Sequence, residues 1–301
     1  MKLNTTTNTI PHPIPYQGSK RKLAASILEL MGEKKIHTLY EPFSGSAAVT
    51  LAAAKMGKAN TYYISDSLVP LAGIWKLIIK KPNQLIERYS EIWNENAREE
   101  LEYYNDIRDK FNTDGDPAKL LYLLARCVKN AVRFNAEGMF NQSQDKRRLG
   151  THPSKMSKSI LHASQILHGS TVVSAGDYSD ILDSATSCDL IYMDPPYQGT
   201  STGKDSRYHQ NLDRASFYDY LEFLNSKNIP FLLSFDGRCG DKVYGDPLPK
   251  ELKLGLVELE AGRSSQATLS GRDDITIESL YLSPAMRKRI KTPRHKHAVS
   301  A

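Results

Sequence analysis

Leu190-Ile191-Tyr192-Met193-Asp194-Pro195-Pro196-Tyr197 is the stretch on which the fold turns. Its first half is a continuous apolar run of strand length, the pattern of a strand buried on both faces. Two prolines then stop the ladder, because neither can donate a backbone hydrogen bond. A carboxylate and an aromatic ring therefore flank a rigid turn at a strand's carboxyl end. The plain alternative is a proline-stiffened surface loop after a core strand.

Such a turn suits chemistry on an aromatic exocyclic amine. The amino nitrogen of adenine shares its lone pair with the ring and is a poor nucleophile. Asp194 and the carbonyl of Pro195 can accept its N–H bonds and favour a tetrahedral nitrogen that carries its lone pair. The locked proline φ keeps that carbonyl aimed, so the acceptors are preorganised. Tyr197 can stack on a base that has left a duplex.

Upstream, residues 39–49 run from a strand through Glu41-Pro42-Phe43-Ser44-Gly45-Ser46 into a helical pattern. Small residues at such a turn let backbone approach a ligand closely, although ordinary tight turns share the composition. Before it, Tyr16-Gln17-Gly18-Ser19-Lys20 is a polar loop entering a helix at 23–32, with Lys20 either solvated or a ligand contact. After it, Tyr62-Tyr63-Ile64-Ser65-Asp66 ends a second strand in a carboxylate. The spacing matches the acid that accepts ribose hydroxyls about 20 residues after a nucleotide-binding turn.

Strands and helices alternate around these segments. Strands are expected near 38–43, 61–65, 171–174, 190–193 and 231–235, and helices at 22–31, 47–56, 68–80 and 215–225. Between them, 83–135 carries only helical periodicity, with Asp116-Pro117 as a start signal, and 135–156 is a loop or hairpin. Leu252, Leu254 and Leu256 alternate, as do Ile275 and Ile277, which predicts a terminal antiparallel hairpin. The expected fold is an α/β parallel-type sheet interrupted by a mostly helical insert. The expected divisions are 1–80 and 161–285 for the sheet domain, 81–160 for the insert and 286–301 for a basic, disordered tail. Gly45, Asp66, Asp177 and Asp194 each fall just after a strand, at the edge where open α/β sheets bind ligands. The acids could instead be helix N-caps.

The ordered segments Tyr16-x-Gly18-x-Lys20, Glu41-Pro42-Phe43-x-Gly45, Asp66, Gly176-Asp177-Tyr178 and Asp194-Pro195-Pro196-Tyr197 resemble the motifs of the Dam-type, alpha-group DNA adenine-N6 methyltransferases. Asn130-x-x-Arg133-Phe134-Asn135-x-x-Gly138-x-Phe140-Asn141 is similar to that family's DNA-contacting segment. The resemblance spans about 12–283. It implies a Rossmann-like, S-adenosylmethionine-dependent methyltransferase sheet and a DNA-recognition insert. By that resemblance Tyr16 and Lys20 contact the cofactor's methionine and adenosyl parts, and Phe43, Ser44 and Gly45 form its floor. Asp66 holds the ribose, Asp177 and Tyr178 the adenine, and Asp194 touches both cofactor and target amine, with Pro195, Pro196 and Tyr197 completing the catalytic turn. The chain departs at Ala47, where the family usually has a second glycine, and at Glu137, where GATC-specific members tend to carry Arg. A target other than GATC is expected.

A hydrophobic content of 40% is ordinary for a soluble protein. No run approaches the ~18 apolar residues of a membrane span, and residues 1–9 lack a signal peptide's apolar stretch. Cys127, Cys188 and Cys239 are scattered, and the histidines form no i, i+4 pair, so no metal site is signalled. Lys and Arg number 40 against 34 acids, and six of them, from Arg287 to Lys296, lie in the tail. The body is thus neutral but asymmetric: 126–158 is basic, while 95–116 is acidic. Such asymmetry suits one face for a polyanion, with the tail either sharing in it or serving only solubility.

The expected activity is methyl transfer from S-adenosylmethionine to N6 of a flipped-out adenine in double-stranded DNA, in the bacterial cytoplasm. A cognate restriction endonuclease is the candidate protein partner, with an orphan or phage role as the other setting. The alternatives are cytosine-N4 methylation and a non-catalytic DNA-binding module on the same scaffold. The recognition determinants are expected among Asn130, Arg133, Phe134, Asn135, Glu137, Asn141, Lys146, Arg147 and Arg148. Phe134 or Phe140 is either a wedge for the opened stack or insert core. Arg and Asn side chains suit guanine and adenine edges respectively.

Overall fold

Strand β1 (Ile36–Glu41) is buried on both faces except at His37, and it is flanked by parallel neighbours on both sides. The computed structural model describes residues 10–95, 101–182, 184–196, 212–239, 242–244, 248–263 and 275–291. On one side of β1 lie β2 (Ala59–Asp66) and then β3 (Thr171–Ala175), both parallel. On the other lie β4 (Leu190–Met193) and β5 (Phe231–Cys239), also parallel. The short β6 (Lys242–Tyr244) pairs with β5 off the main path. Two antiparallel strands, β7 (Gly255–Arg263) and β8 (Ile275–Leu282), extend the sheet to the order β3-β2-β1-β4-β5-β8-β7. This is the α/β, Rossmann-like sheet with a terminal antiparallel hairpin. The winding direction reverses between β1 and β4, so a crevice opens at their carboxyl ends.

Period-two alternation sorts the strand residues into two cores. Leu39, Leu190, Tyr192 and Leu232 face one side, packed under α1 (Ala24–Leu30) and α2 (Ala48–Lys55). Tyr40, Ile191, Met193 and Leu233 face the other side. There they meet Phe217 and Leu221 of α9 (Arg214–Ser226).

The helices that follow β2 build a third core. α3 (Val69–Lys80) ends where Lys81 turns to φ −143°, and α4 (Pro82–Glu95) begins on Pro82, whose missing N–H costs nothing in a first turn. α5 (Leu101–Asp114) and α6 (Pro117–Arg126) follow, the latter capped by the Asp116 side chain accepting from the N–H groups of Ala118 and Lys119. Trp75, Tyr89, Tyr104, Leu121, Phe140 and Ile160 share one cluster, so the insert packs continuously with the sheet's helical layer. The expected insert boundary at 160 falls inside α7 (Pro153–Leu167), which packs on α2, α3 and α4. The short α8 (Tyr178–Leu182) follows β3.

Two expectations are corrected. Leu252 and Leu254 are not strand residues: Lys250–Leu252 form a 3-10 turn, Lys253 takes φ 53°, and the ladder starts at Gly255. The basic tail does not begin disordered at 286. α10 (Pro284–Lys291) docks against β5 and β8 with Met286 fully buried, because that one apolar side chain anchors an otherwise polar helix. Residues 292–301 lie outside the described residues. No described helix is long and apolar enough to cross a membrane.

Candidate active site

At the carboxyl ends of β1, β2, β3 and β4 lies a cavity of about 490 Å³. That is within the ~300–1,000 Å³ typical of small-molecule sites. It is lined by Tyr16, Lys20, Phe43, Ser44, Gly45, Asp66, Asp177, Tyr178, Asp194, Pro195 and Pro196, so the sequence-distant candidates converge. Tyr197 lies outside the described residues.

Asp194 sits where β4 stops. Its Oδ1 is 2.8 Å from Lys20 Nζ, and the same ammonium is 3.3 Å from Glu278 Oε2 on β8. Lys20 also donates to the carbonyl of Gly18 across the turn that Gly18 makes at φ 84°. Burial opposes charge on Lys20, but the carboxylates of Asp194 and Glu278 outweigh it and hold the ammonium above its ordinary range. Lys20 is therefore held as a cation against the turn that follows β4.

Asp66 braces the small-residue turn. Its Oδ2 accepts the Gly45 N–H at 2.9 Å and its Oδ1 the Leu68 N–H at 3.0 Å. Enclosure raises its carboxyl to about 6 against those two bonds. Gly45 itself has φ 45°, and a Cβ there would come 3.0 Å from the Tyr16 ring. Ala47, at the family's second glycine position, takes φ 43° and caps α2, so the turn closes with its methyl in a left-handed backbone. Trp75 Nε1 donates to the Gly45 carbonyl from below.

Aromatic rings form the far wall. Phe43 stacks on Tyr178 with centroids 5.3 Å apart, and Phe217 and Tyr220 meet Tyr178 edge-on. Asp177 is an exposed N-cap of α8, its Oδ1 accepting from the N–H and hydroxyl of Ser179 while it still borders the cavity. The helix-cap reading of that acid is thus present, at a position that also borders the cavity.

Sequence reasoning missed two carboxylates here. Glu41, at the end of β1, is buried, accepts the Thr50 N–H at 2.9 Å and lines the cavity. Burial, assisted by nearby Asp194, pushes its carboxyl up to about 8. Glu41 stood inside a quoted motif, but nothing local marked it as a ligand. Glu278 had no local signal at all, since only strand pairing brings β8 to Lys20.

The segment expected to contact DNA is hairpin-like, with isolated antiparallel bridges Cys127↔Gln144 and Phe134↔Phe140 in place of strands. Several of the expected DNA contacts have partners within the chain. Phe134 is 5% exposed and packs edge-on against Phe140, which in turn meets Phe111, so both rings are insert core and not wedges. Asn130 donates its side-chain amide to the Leu124 carbonyl, and Asn135 accepts the Met139 N–H, so each serves its own turn. Arg147 and Arg148 both pair with buried Asp145. Lys146 and Glu137 are exposed. Arg133 and Asn141 are half-buried, and each carries a buried atom, Nε and Oδ1 respectively, without a partner among the described residues. Met139, at the exposed tip, is an apolar side chain that the sequence did not single out.

A family model described as D12 class N6 adenine-specific DNA methyltransferase matches residues 16–247. The type II methyltransferase M1.LlaDCHI of Lactococcus lactis subsp. cremoris is 27% identical over 87% of this chain and 91% of its own. The retron Ec67 DNA adenine methylase of Escherichia coli is 29% identical over 71% of this chain and 75% of its own. A DNA adenine methylase of Salmonella typhi is 24% identical over 65% and 70%.

Proposed function

The chain belongs to the D12 class N6 adenine-specific DNA methyltransferases, and from that premise we propose how its own residues divide the work. It methylates DNA at N6 of adenine. In this reading Asp194 and the Pro195 carbonyl accept the N–H bonds of a flipped-out adenine and stabilise the positive charge that grows on N6. Lys20 fixes the Asp194 carboxylate before substrate arrives. The single observation that carries the assignment is the Lys20–Asp194 ion pair at the mouth of the acidic, aromatic-walled cavity.

The donor set fits S-adenosylmethionine, which supplies a methyl group on a sulfonium and also carries an ammonium. Glu41, Asp66 and Asp194 offer carboxylates to those cations and to the ribose hydroxyls. Each Asp66 oxygen retains a lone pair beyond the backbone bond it accepts. Phe43 and Tyr178 offer a ring face for the adenine, and the buried Ser44 hydroxyl has no partner among the described residues.

Residues 81–160 serve as the target-recognition insert, with Arg133, Glu137, Asn141 and Lys146 toward DNA. The type II relative supports a restriction–modification setting with a cognate endonuclease, and a DNA substrate favours action in the bacterial cytoplasm. Radiolabelled methyl transfer to DNA followed by nucleoside analysis tests the activity. N6-methyladenine is the expected product; N4-methylcytosine, or no transfer, overturns the reading.

A further inference from the structure

Beside the cofactor cavity runs a second groove of about 900 Å³. Its walls are the N-terminal segment with Arg21 and Lys22, the turn holding Lys129, the first turn of α7 with Lys155, and the β7–β8 edge. It shares the Tyr16–Lys20 loop with the cofactor cavity and so opens next to the reacting centre. Arg21, Lys22, Lys129 and Lys155 are exposed, and none pairs with a carboxylate among the described residues. The acid that lines the groove, Glu278, is already held by Lys20. Uncompensated positive charge therefore faces an open channel.

The turn that presents Lys129 is strained. Lys129 at φ 60° and Asn130 at φ 53° are consecutive non-glycine residues in the left-handed region. Such a conformation persists only where its surroundings over-determine it, and it clusters at functional sites. Here Gln17 donates its N–H to the Asn130 carbonyl at 2.9 Å. Asn130 Nδ2 donates to the Leu124 carbonyl and Gln142 Nε2 to the Val128 carbonyl, each at 2.8 Å. Glycines would relieve the strain, but they would remove the cation.

We propose that this groove holds the sugar–phosphate backbone of duplex DNA beside the flipped nucleotide, with Arg21, Lys22, Lys129 and Lys155 neutralising phosphates. The inference rests on the reading that the chain acts on DNA. It adds a contact surface that joins the N-terminal loop to Lys129 and Lys155 of the insert, apart from Arg133, Glu137, Asn141 and Lys146 and from the basic tail. Because phosphates carry no sequence information, the groove sets affinity and register and not target choice.

The test is binding of the full chain to duplex DNA with and without a methylatable site, titrated between about 50 and 200 mM salt. The variants are Arg21→Ala/Lys22→Ala, Lys155→Ala and Lys129→Asn, the last chosen because Asn tolerates the left-handed backbone. Lys80→Ala, outside the groove, is the charge-matched control. Affinity for both duplexes should fall alike, and the slope of log K against log salt should shrink by about 0.9 per side chain removed. S-adenosylmethionine affinity should be unchanged. A slope equal to wild type, a loss confined to one DNA sequence, or a matching loss of cofactor affinity overturns the groove. A wild-type chain that methylates adenine while the variants keep its slope sinks the groove alone. Variants that show the slope changes beside a wild-type chain that methylates no DNA sink the activity and leave the groove standing.

Discussion

Lys20 Nζ lies 2.8 Å from Asp194 Oδ1, so the loop before the first helix and the turn after β4 are joined by an ion pair across the sheet edge. The ammonium is buried and shared with Glu278, which makes it a brace for the Asp194 carboxylate more than a free ligand for the cofactor. Removing one partner of such a pair leaves uncompensated charge. Lys20→Ala should therefore lower turnover at least tenfold even at saturating S-adenosylmethionine, in addition to weakening cofactor affinity. Lys20→Arg should rescue little, because a planar guanidinium does not replace a compact ammonium at a buried site. Single-turnover kinetics beside calorimetry separates the two effects. Wild-type turnover at saturating cofactor would show that Lys20 does not act on Asp194.

Asp194→Ala should abolish methyl transfer while the chain remains folded. In the proposed role the carboxylate accepts from the reacting amine, whereas the strand before it is held by its own apolar core. Asp194→Asn keeps an acceptor oxygen and should retain partial activity. The expected loss for Ala exceeds ~1.4 kcal/mol of barrier, or about tenfold. A smaller loss, measured as kcat at matched helical content, removes Asp194 from the chemistry.

Asp66→Ala should weaken S-adenosylmethionine binding and also destabilise the cofactor-free chain by about 1–3 kcal/mol, because the Gly45 and Leu68 N–H groups lose their acceptors. Asp66→Asn can satisfy one of the two and should fall between. Denaturant unfolding read together with cofactor calorimetry checks both effects. Weakened binding at unchanged stability would assign Asp66 to the ligand alone.

Glu41 gives a pH signature. Its folded carboxyl titrates near 8 against an ordinary 4.5, so the native chain keeps a proton that the unfolded chain has released. Stability from this group is fully present below about pH 4.5 and is lost as pH rises through about 8. The expected slope is ~1.4 kcal/mol per pH unit in that window. Glu41→Gln should flatten the slope in unfolding experiments at pH 5, 6.5 and 8. A cationic cofactor favours the ionised form, so wild-type affinity for S-adenosylmethionine should tighten as pH approaches 8. A binding curve flat in pH counts against Glu41 facing that cation.

In the insert, substitutions can separate a core role from the proposed DNA contacts. Phe134→Ala should cost about 3–5 kcal/mol of stability, as a buried ring deletion does. Glu137→Arg, at the exposed tip, should leave stability unchanged and alter relative rates among DNA sites. Lys146→Ala should slow all sites alike, because a phosphate contact carries no base preference. Thermal melts and methylation mapping decide each. Plain GATC methylation by the wild-type chain would refute the role given to Glu137.

The sequence by itself determined the sheet and the cavity's address. Buried parallel strands appear as apolar runs, proline stops them at a definite residue, and an open α/β sheet presents its ligand edge where those runs end. Gly45, Asp66, Asp177 and Asp194 could therefore be placed on one edge from local pattern alone. Partnerships were a different matter. Whether Asn135 reads a base or ties its own turn, and whether Phe134 is wedge or core, depends on what packs against it, and composition is the same in both cases. Glu278 reaches Lys20 only because β8 inserts antiparallel beside β5. The Met286 anchor depends equally on that docking. Periodicity records which face of an element is buried, but the free energy that selects its neighbour is a sum over contacts distant in sequence, and only the folded chain carries out that sum.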